Sequence, residues 1–308
     1  MNQAYFITMA VTAALGTGWL MLRLQRRGMK MAPALLGLGL SVILGWALAK
    51  LFYVLLLFHR VWPRFGWEAF TRVKSTEFCF FGGCVGVILG MALAARLTKT
   101  HVKQFLSVFA PCGALMVAGA RYAERYLGML GVGSFTDVPS LCRFPFAVSN
   151  EWQEWFMAVF MLEALFALVI ALVFALRKKE GWIPGLFLER TAFYLCLSQI
   201  LCESLRAQGL KWGFVRVEQL LCAVALVGLL LHGCLQSGGR GVWKRFWPIA
   251  GALACIGAIV GVEFALDRID LSPYFWYALM ILTLFVLGWL ECFCTKRRFE
   301  QVQHQYRG

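Results

Sequence analysis

The sequence predicts an all-α membrane protein, a polytopic bundle of helices that cross the bilayer. Hydrophobic residues make up 60% of its 308 residues, charged residues only 15%, and the mean hydropathy is +0.70. Apolar runs of roughly 18 to 22 residues recur along the whole chain, which is the length that a helix needs to span the hydrocarbon core. A soluble fold of this size could not bury so much apolar surface, so we predict that part of the surface of this protein faces lipid.

Nine apolar runs are long enough to be membrane spans. They lie at about residues 4–22, 33–58, 78–96, 105–120, 155–176, 184–205, 217–235, 247–266 and 274–294. The first run lacks a basic leader and a small-residue cleavage site, which predicts an uncleaved helix. Two connections are long, at about 59–77 and 121–154, and ordered loops of that length are usually functional.

The basic residues predict the orientation of the chain in the membrane. The segments after spans one, three, five, seven and nine carry 17 Lys and Arg residues, whereas the segments on the opposite side carry 11. Acidic residues are concentrated on that second side. Because basic loops stay in the cytoplasm, the amino terminus is predicted outside and the carboxyl terminus in the cytoplasm.

The composition also excludes two classes of function. The net charge is +14, but the 30 Lys and Arg residues form short clusters between apolar runs, so no nucleic-acid interface is predicted. No CxxC motif occurs among the 11 Cys residues, most of which lie inside apolar runs and are predicted to be small buried hydrophobes. No His/Cys group has ligand spacing, so neither a metal nor a cofactor is predicted.

Ionisable residues within the spans are the first candidates for function, because a charge at bilayer depth costs a few kcal/mol. Lys50 and Glu163 lie deep in their spans and form a candidate pair, since each would be destabilised alone. On span six, Gln199, Glu203 and Arg206 recur at i, i+4 and i+7, which places them on one helical face.

A second polar cluster, Arg121, Glu124 and Arg125, lies at the outer end of span four. Two helix ends that carry Arg on the same side can hold an anionic lipid headgroup, because guanidinium donors match phosphate oxygens. The alternative is that these arginines are interface anchors paired with nearby Glu residues. A third polar group, Arg216, Glu218 and Gln219, starts span seven.

Glycines mark a close approach of backbone on span three. Gly82, Gly86 and Gly90 lie four residues apart on one stripe, with Gly83 beside it. Such a stripe is typical of packing against another helix, and the alternative is a backbone surface open to a lipid headgroup.

Five segments, in this order, resemble the bacterial prolipoprotein diacylglyceryl transferases. They are ALAKLFYVL, EFCFFGGCVGVILG, GARYAERYLG, MLEAL and FYLCLSQILCESLRAQGLKWGFVRVEQLL. The resemblance runs from about residue 4 to 235. It implies a seven-span core over residues 1–235, followed over residues 236–308 by two additional transmembrane helices and a basic cytoplasmic tail.

The resemblance implies an enzyme of the bacterial inner (plasma) membrane that moves the diacylglyceryl group of phosphatidylglycerol onto a lipobox cysteine. The implied partners are phosphatidylglycerol, or another anionic phospholipid, and the signal peptide of a prelipoprotein. The predicted catalytic residues are Arg121, Glu203, Arg206 and Glu124. The predicted substrate-binding residues are Gly82, Gly83, Arg125, Tyr53, Gln199 and Gln219.

Three positions depart from the family pattern, and one of them is Glu124, which replaces an asparagine of the family. Phe81 stands where the family has a histidine, and Gln199 stands where it has an arginine. Glu203 or Glu124 is therefore the candidate for the base, while Arg121, Arg125 and Arg206 are expected to hold the phosphate.

We expect Arg121, Gly82, Gly83, Glu203 and Arg206 to converge on one cavity that opens toward the outer leaflet. Two alternative functions stay open: another transfer that uses a lipid headgroup, and a non-catalytic role in binding lipid or a membrane partner.

Overall fold

A computed structural model describes residues 3–74, 76–177, 183–212, 215–236, 242–269 and 272–307. The chain is almost wholly helical, which confirms the predicted all-α class. The elements follow in chain order: α1 (Gln3–Gln25), α2 (Ala32–Leu56), α3 (Phe58–Phe65), α4 (Glu68–Thr71), α5 (Phe80–Leu97), α6 (Val102–Ala123), a 3-10 turn (Glu124–Leu127), β1 (Ala147–Ser149), β2 (Trp155–Met157), α7 (Val159–Leu176), α8 (Leu186–Leu205), β3 (Lys211–Trp212), β4 (Val215–Arg216), α9 (Val217–Gln236), α10 (Val242–Arg268) and α11 (Pro273–Arg307).

The long helices lie at the positions of the nine predicted spans. Within the described residues, eight helices are long and apolar enough to cross a membrane, so the chain is a multi-pass membrane protein. The ninth, α8, carries Glu189, Arg190 and Glu203, and its passage through the bilayer stays a prediction. The outside position of the amino terminus also stays a prediction.

The described residues form two compact units. The first extends to Leu195 and includes Leu205–Leu210, and the second comprises Cys196–Ser204 and the chain from Lys211 onward. Helix α8 therefore contributes residues to both. The domain boundary predicted at residue 235 stays a prediction.

In the first unit, the glycine stripe of α5 packs directly on α2. A Cβ atom added at Gly82 would lie 2.7 Å from the carbonyl oxygen of Leu48, and one at Gly90 would lie 2.7 Å from the backbone nitrogen of Ser41. The Oγ of Ser41 donates a hydrogen bond to the carbonyl oxygen of Val87 across the same contact, at 3.1 Å. The absence of side chains lets the two backbones approach, which supports the packing interpretation of the stripe.

An apolar core of the first unit joins α1, α2, α5 and α6. Its fully buried members include Leu20 and Leu24 of α1 and Phe105 of α6. A buried core between helices that also face lipid requires tight van der Waals packing, because lipid is as apolar as these side chains.

The long connection after α6 folds into an antiparallel hairpin. Strands β1 and β2 pair Ala147 with Met157 and Ser149 with Trp155. The backbone nitrogen of Gly133 donates to the carbonyl oxygen of Met157, at 2.8 Å, so residues from the start of the connection run beside β2. These pairings satisfy backbone polar groups and fix the course of the chain between α6 and α7.

In the second unit, α9, α10 and α11 pack side by side. Leu226 of α9 and Leu287 and Leu290 of α11 are buried. The thiols of Cys234 and Cys294 lie 3.5 Å apart in the same unit, as small buried side chains.

Candidate functional site

Two arginines and two glutamates of the first unit form a buried ion-pair network. Arg121 lies in the last turn of α6, Glu124 opens the 3-10 turn, Glu163 lies early in α7, and Arg206 directly follows α8. Their exposed fractions are between 1% and 7%. Because a buried charge is stable only when it is paired, these four side chains depend on one another.

Arg206 bonds to both carboxylates of this network. Its Nε donates to Glu163 Oε1 at 2.8 Å, and its Nη2 donates to Glu163 Oε2 at 2.5 Å, which forms a bidentate pair. The same Nη2 donates to Glu124 Oε2 at 2.7 Å. A planar guanidinium provides this geometry and a lysine ammonium cannot.

Arg121 contacts the same two carboxylates from α6. Its Nη1 donates to Glu124 Oε1, and its Nε lies 2.8 Å from Glu163 Oε2. Its guanidinium carbon lies 3.5 Å from the centre of the Phe80 ring, a cation–π contact with the first residue of α5. Each carboxylate therefore contacts both guanidinium groups, and the four formal charges cancel.

Local backbone structure explains how distant segments reach this network. The last turn of α6 tightens into a 3-10 turn, and the spacing i, i+3 brings Glu124 next to Arg121. The nitrogen of Ala207 donates to the carbonyl oxygen of Val132 at 2.9 Å, which holds the residue after Arg206 against the hairpin connection. Helix α8 ends at Leu205, so Arg206 lies one residue beyond the helical face predicted for it.

Gly131 makes the approach of the chain to the network possible. Its φ angle is +76°, and an added Cβ atom would overlap Glu124 Oε2 and lie 3.4 Å from Arg206 Nη2. Its carbonyl oxygen accepts a hydrogen bond from the nitrogen of Phe160 at 3.0 Å. Only glycine combines this backbone conformation with so little space.

Gly131→Ala is expected to destabilise the protein by about 2–4 kcal/mol, because it combines backbone strain with displacement of the buried Glu124 carboxylate. Gly128→Ala is the matched control, since Gly128 has a φ of +72° but no neighbouring atom within 4 Å of an added Cβ. Thermal unfolding of both variants in detergent separates the strain from the contact. Equal losses in the two variants would show that the network tolerates the methyl group.

The structure brings three predicted catalytic residues together, namely Arg121, Glu124 and Arg206. Glu163 completes the group and was missing from the predicted site residues. Two signals were available: its depth in span five and its place in the segment MLEAL, which resembles the family. The alternative that the arginines pair with nearby Glu residues describes the contacts seen here.

The candidate pair of Lys50 with Glu163 is wrong. The Nζ of Lys50 lies 3.1 Å from Glu77 Oε2, and its ammonium also lies 5.3 Å from the Tyr53 ring centre. Glu163 is bound by the two arginines instead. Glu77 lies in the connection before α5, and the sequence did not predict that this connection is near Lys50. The connection is held against α2 because the nitrogen of Cys79 donates to the carbonyl oxygen of Ala49.

The other predicted binding residues of the first unit have different surroundings. Gly82 and Gly83 lie in the contact between α5 and α2. Arg125 stacks on Phe144 of the long connection, with 4.0 Å between its guanidinium carbon and the ring centre. Tyr53 lies beside Lys50. Their roles in binding substrate stay predictions.

Three predicted residues belong to the second unit. Glu203 is 1% exposed and accepts a hydrogen bond from Gln199 Nε2 at 3.5 Å, as their shared helical face predicts. Gln219 at the start of α9 bonds to Glu263 of α10. The expected convergence of Glu203 with Arg121 and Arg206 on one cavity stays a prediction.

The chain is similar to proteins of one known family. The family model described as prolipoprotein diacylglyceryl transferase matches residues 3–233. Phosphatidylglycerol–prolipoprotein diacylglyceryl transferase of Clostridium novyi (strain NT) is 21% identical over 189 residues, which cover 59% of this chain and 72% of the relative. The proteins of the same name from Shewanella sp. strains MR-4 and ANA-3 are 26% and 25% identical over 170 residues, which cover 55% of this chain and 63% of each relative.

The matched region holds all four members of the ion-pair network, while α10 and α11 lie beyond it. The network thus belongs to the part of the chain that the family model matches. Since the match extends over most of the sequence, this chain belongs to the prolipoprotein diacylglyceryl transferase family.

Proposed function

We propose that this protein transfers the diacylglyceryl group of phosphatidylglycerol to the lipobox cysteine of a prelipoprotein. The observation that carries the proposal is the pair of buried guanidinium groups, Arg121 and Arg206, fixed by the same two carboxylates. Guanidinium groups already held in place need little reorganisation when negative charge develops on a leaving phosphate. The names of the relatives supply the substrate class.

The proposed reaction is a substitution at a glyceryl carbon. The cysteine thiol gives its proton to a base, its sulfur forms a bond to the carbon, and the bond from that carbon to the phosphate oxygen breaks. Glycerol phosphate leaves as an anion. Arg121 and Arg206 are proposed to stabilise this anion, with Glu124 and Glu163 holding the two guanidinium planes.

Glu203 is our preferred candidate for the base. Both oxygens of Glu124 accept from arginines in the buried network, so this carboxylate is already engaged. Glu203 is 1% exposed, and it accepts a hydrogen bond from the neutral amide of Gln199. A carboxylate acts in this role because Phe81, at the proposed position of the family histidine, has no group that accepts a proton.

One observation favours a second candidate function, the non-catalytic binding of lipid or of a membrane partner. The two arginines and two glutamates have no net formal charge, and such a neutral network attracts an anion less than two arginines alone would. In both proposals the protein lies in the inner membrane, with its amino terminus outside.

The decisive experiment is complementation of bacteria depleted of their own diacylglyceryl transferase. Wild type, Phe81→His with Gln199→Arg, and the exposed control Arg64→Gln are expressed at matched levels. Growth with wild type, together with glycerol phosphate released from phosphatidylglycerol in the presence of a lipobox peptide, is the expected result. Growth only with the double variant would indicate an inactivated site, and no growth with either folded protein would favour the binding role.

A further inference from the structure

A second polar group, in the second unit, joins α9 to α10. Glu263 lies within the candidate span Phe246–Leu266, where a carboxylate needs a partner. Its Oε2 lies 3.9 Å from the Nε of Arg216, and its Oε1 lies 3.0 Å from the Nε2 of Gln219. The side chains of Arg216 and Glu263 are 15% and 21% exposed. A carboxylate offers hydrogen-bond acceptors at both of its oxygens.

The contacts of Gln219 fix the orientation of its amide. Its Nε2 also lies 3.4 Å from the carbonyl oxygen of Ile200, so this nitrogen faces two acceptors. The opposite orientation would place the amide oxygen against a carboxylate and a carbonyl, neither of which can donate. Both amide hydrogens of Gln219 are therefore used within the protein.

Gln219 consequently presents an acceptor and no donor to a ligand. Among the described residues, no donor is found on its Oε1, and the side chain is half-buried. An ionised phosphate has only acceptors and cannot bond to this oxygen. A hydroxyl group can, because it supplies a hydrogen.

We propose that Gln219, oriented by Glu263, is a specificity-determining residue that accepts a hydrogen bond from a hydroxyl group of the glycerol headgroup. This inference rests on the proposed function, which makes phosphatidylglycerol the lipid. In this proposal Gln219 recognises the polyol of the headgroup. Glu263 is a positioning residue, and it is supplied by a helix beyond the region that the family model matches.

The test compares two lipids of equal charge. Purified full-length protein in detergent is offered phosphatidylglycerol and phosphatidylmethanol with identical acyl chains, and the bound lipids are quantified by mass spectrometry. Phosphatidylmethanol has the phosphodiester but no hydroxyl. The wild type is expected to prefer phosphatidylglycerol by roughly two- to tenfold, the effect of one hydrogen bond, and Gln219→Met is expected to abolish the preference.

Two further variants keep the test decisive. Glu263→Gln retains the volume but offers a donor to Gln219, so its amide is no longer held in one orientation and the preference is expected to fall. Gln104→Met changes an exposed glutamine and is expected to keep the preference. Thermal unfolding shows whether each variant is folded; should Gln219→Met fail to fold, Glu263→Gln decides.

A wild type without preference, or a folded Gln219→Met with the wild-type preference, would overturn the inference. If Gln219→Met keeps the lipid preference but raises KM for the lipobox peptide, the acceptor serves the thiol and our assignment is wrong. A separate assay of diacylglyceryl transfer tests the proposed function. If the protein transfers the group but shows no lipid preference, the proposed function is retained and this inference is overturned. If it shows the preference but no transfer, the proposed function is overturned and the role of Gln219 in recognising the headgroup is retained.

Discussion

Arg206→Gln is expected to lower both the stability of the protein and its binding of anionic lipid. The substitution removes the group that bonds Glu163 twice and Glu124 once, and it leaves the buried network with one excess negative charge. Breaking a buried ion pair in this way typically costs about 3–5 kcal/mol. Thermal unfolding in detergent and binding of phosphatidylglycerol are measured side by side.

The controls for Arg206 separate charge from geometry. Arg206→Lys retains the charge without the bidentate geometry and is expected to be intermediate. Glu163→Gln combined with Arg206→Gln restores neutrality, so the double variant is expected to lose less stability than the sum of the single losses. An Arg206→Gln variant as stable as the exposed control Arg64→Gln, but deficient in lipid, would indicate a purely ligand-binding arginine.

Gly86→Val is expected to cause a large loss of stability by separating α5 from α2. A Cβ atom at Gly86 would overlap the carbonyl group of Leu44 and lie 2.7 Å from the Cα of Gly45. These are backbone atoms of a helix and cannot rotate away as a side chain does, so the helices must move apart. We expect a loss of about 3 kcal/mol or more, at the upper end of overpacking effects.

Gly39→Val provides the matched comparison on α2. Gly39 is an exposed helical glycine, and an added Cβ there meets no atom within 4 Å. Both proteins are heated in the same detergent, and cysteine cross-linking between α2 and α5 reports the helix separation. If Gly86→Val unfolds at the temperature of Gly39→Val, the glycine stripe is not a packing contact.

The sequence alone predicted the helices because each membrane span must satisfy its backbone hydrogen bonds internally. A continuous apolar run is therefore sufficient to locate a helix such as α7, with no knowledge of its neighbours. The three-residue spacing of Arg121 and Glu124 is local in the same sense, and their ion pair agrees with the alternative that the arginines pair with nearby Glu residues. The glycine repeat likewise indicated a close contact, although the sequence left its partner open.

The partners of distant charges could not be predicted in this way. Lys50 and Glu163 are both deep and opposite in charge, yet Lys50 binds Glu77 and Glu163 binds Arg121 and Arg206. The depth of a charged residue in the membrane indicates that it needs a partner but does not indicate which residue that partner is. The choice of partner depends on how the segments between the helices fold back onto them.

The sequence by itself determined that this protein is a helical membrane protein, where its helices lie, and which family its motifs resemble. Only the tertiary structure decided that Arg206 leaves the end of α8 to join Glu163 and Glu124, and that Glu263 orients Gln219. Helix formation in a membrane depends on hydrogen bonds between residues four apart, whereas these contacts join residues separated by more than 40 positions. Their geometry depends on turns such as that at Gly131, where a positive φ and the lack of a side chain allow the chain to pass beside a buried carboxylate.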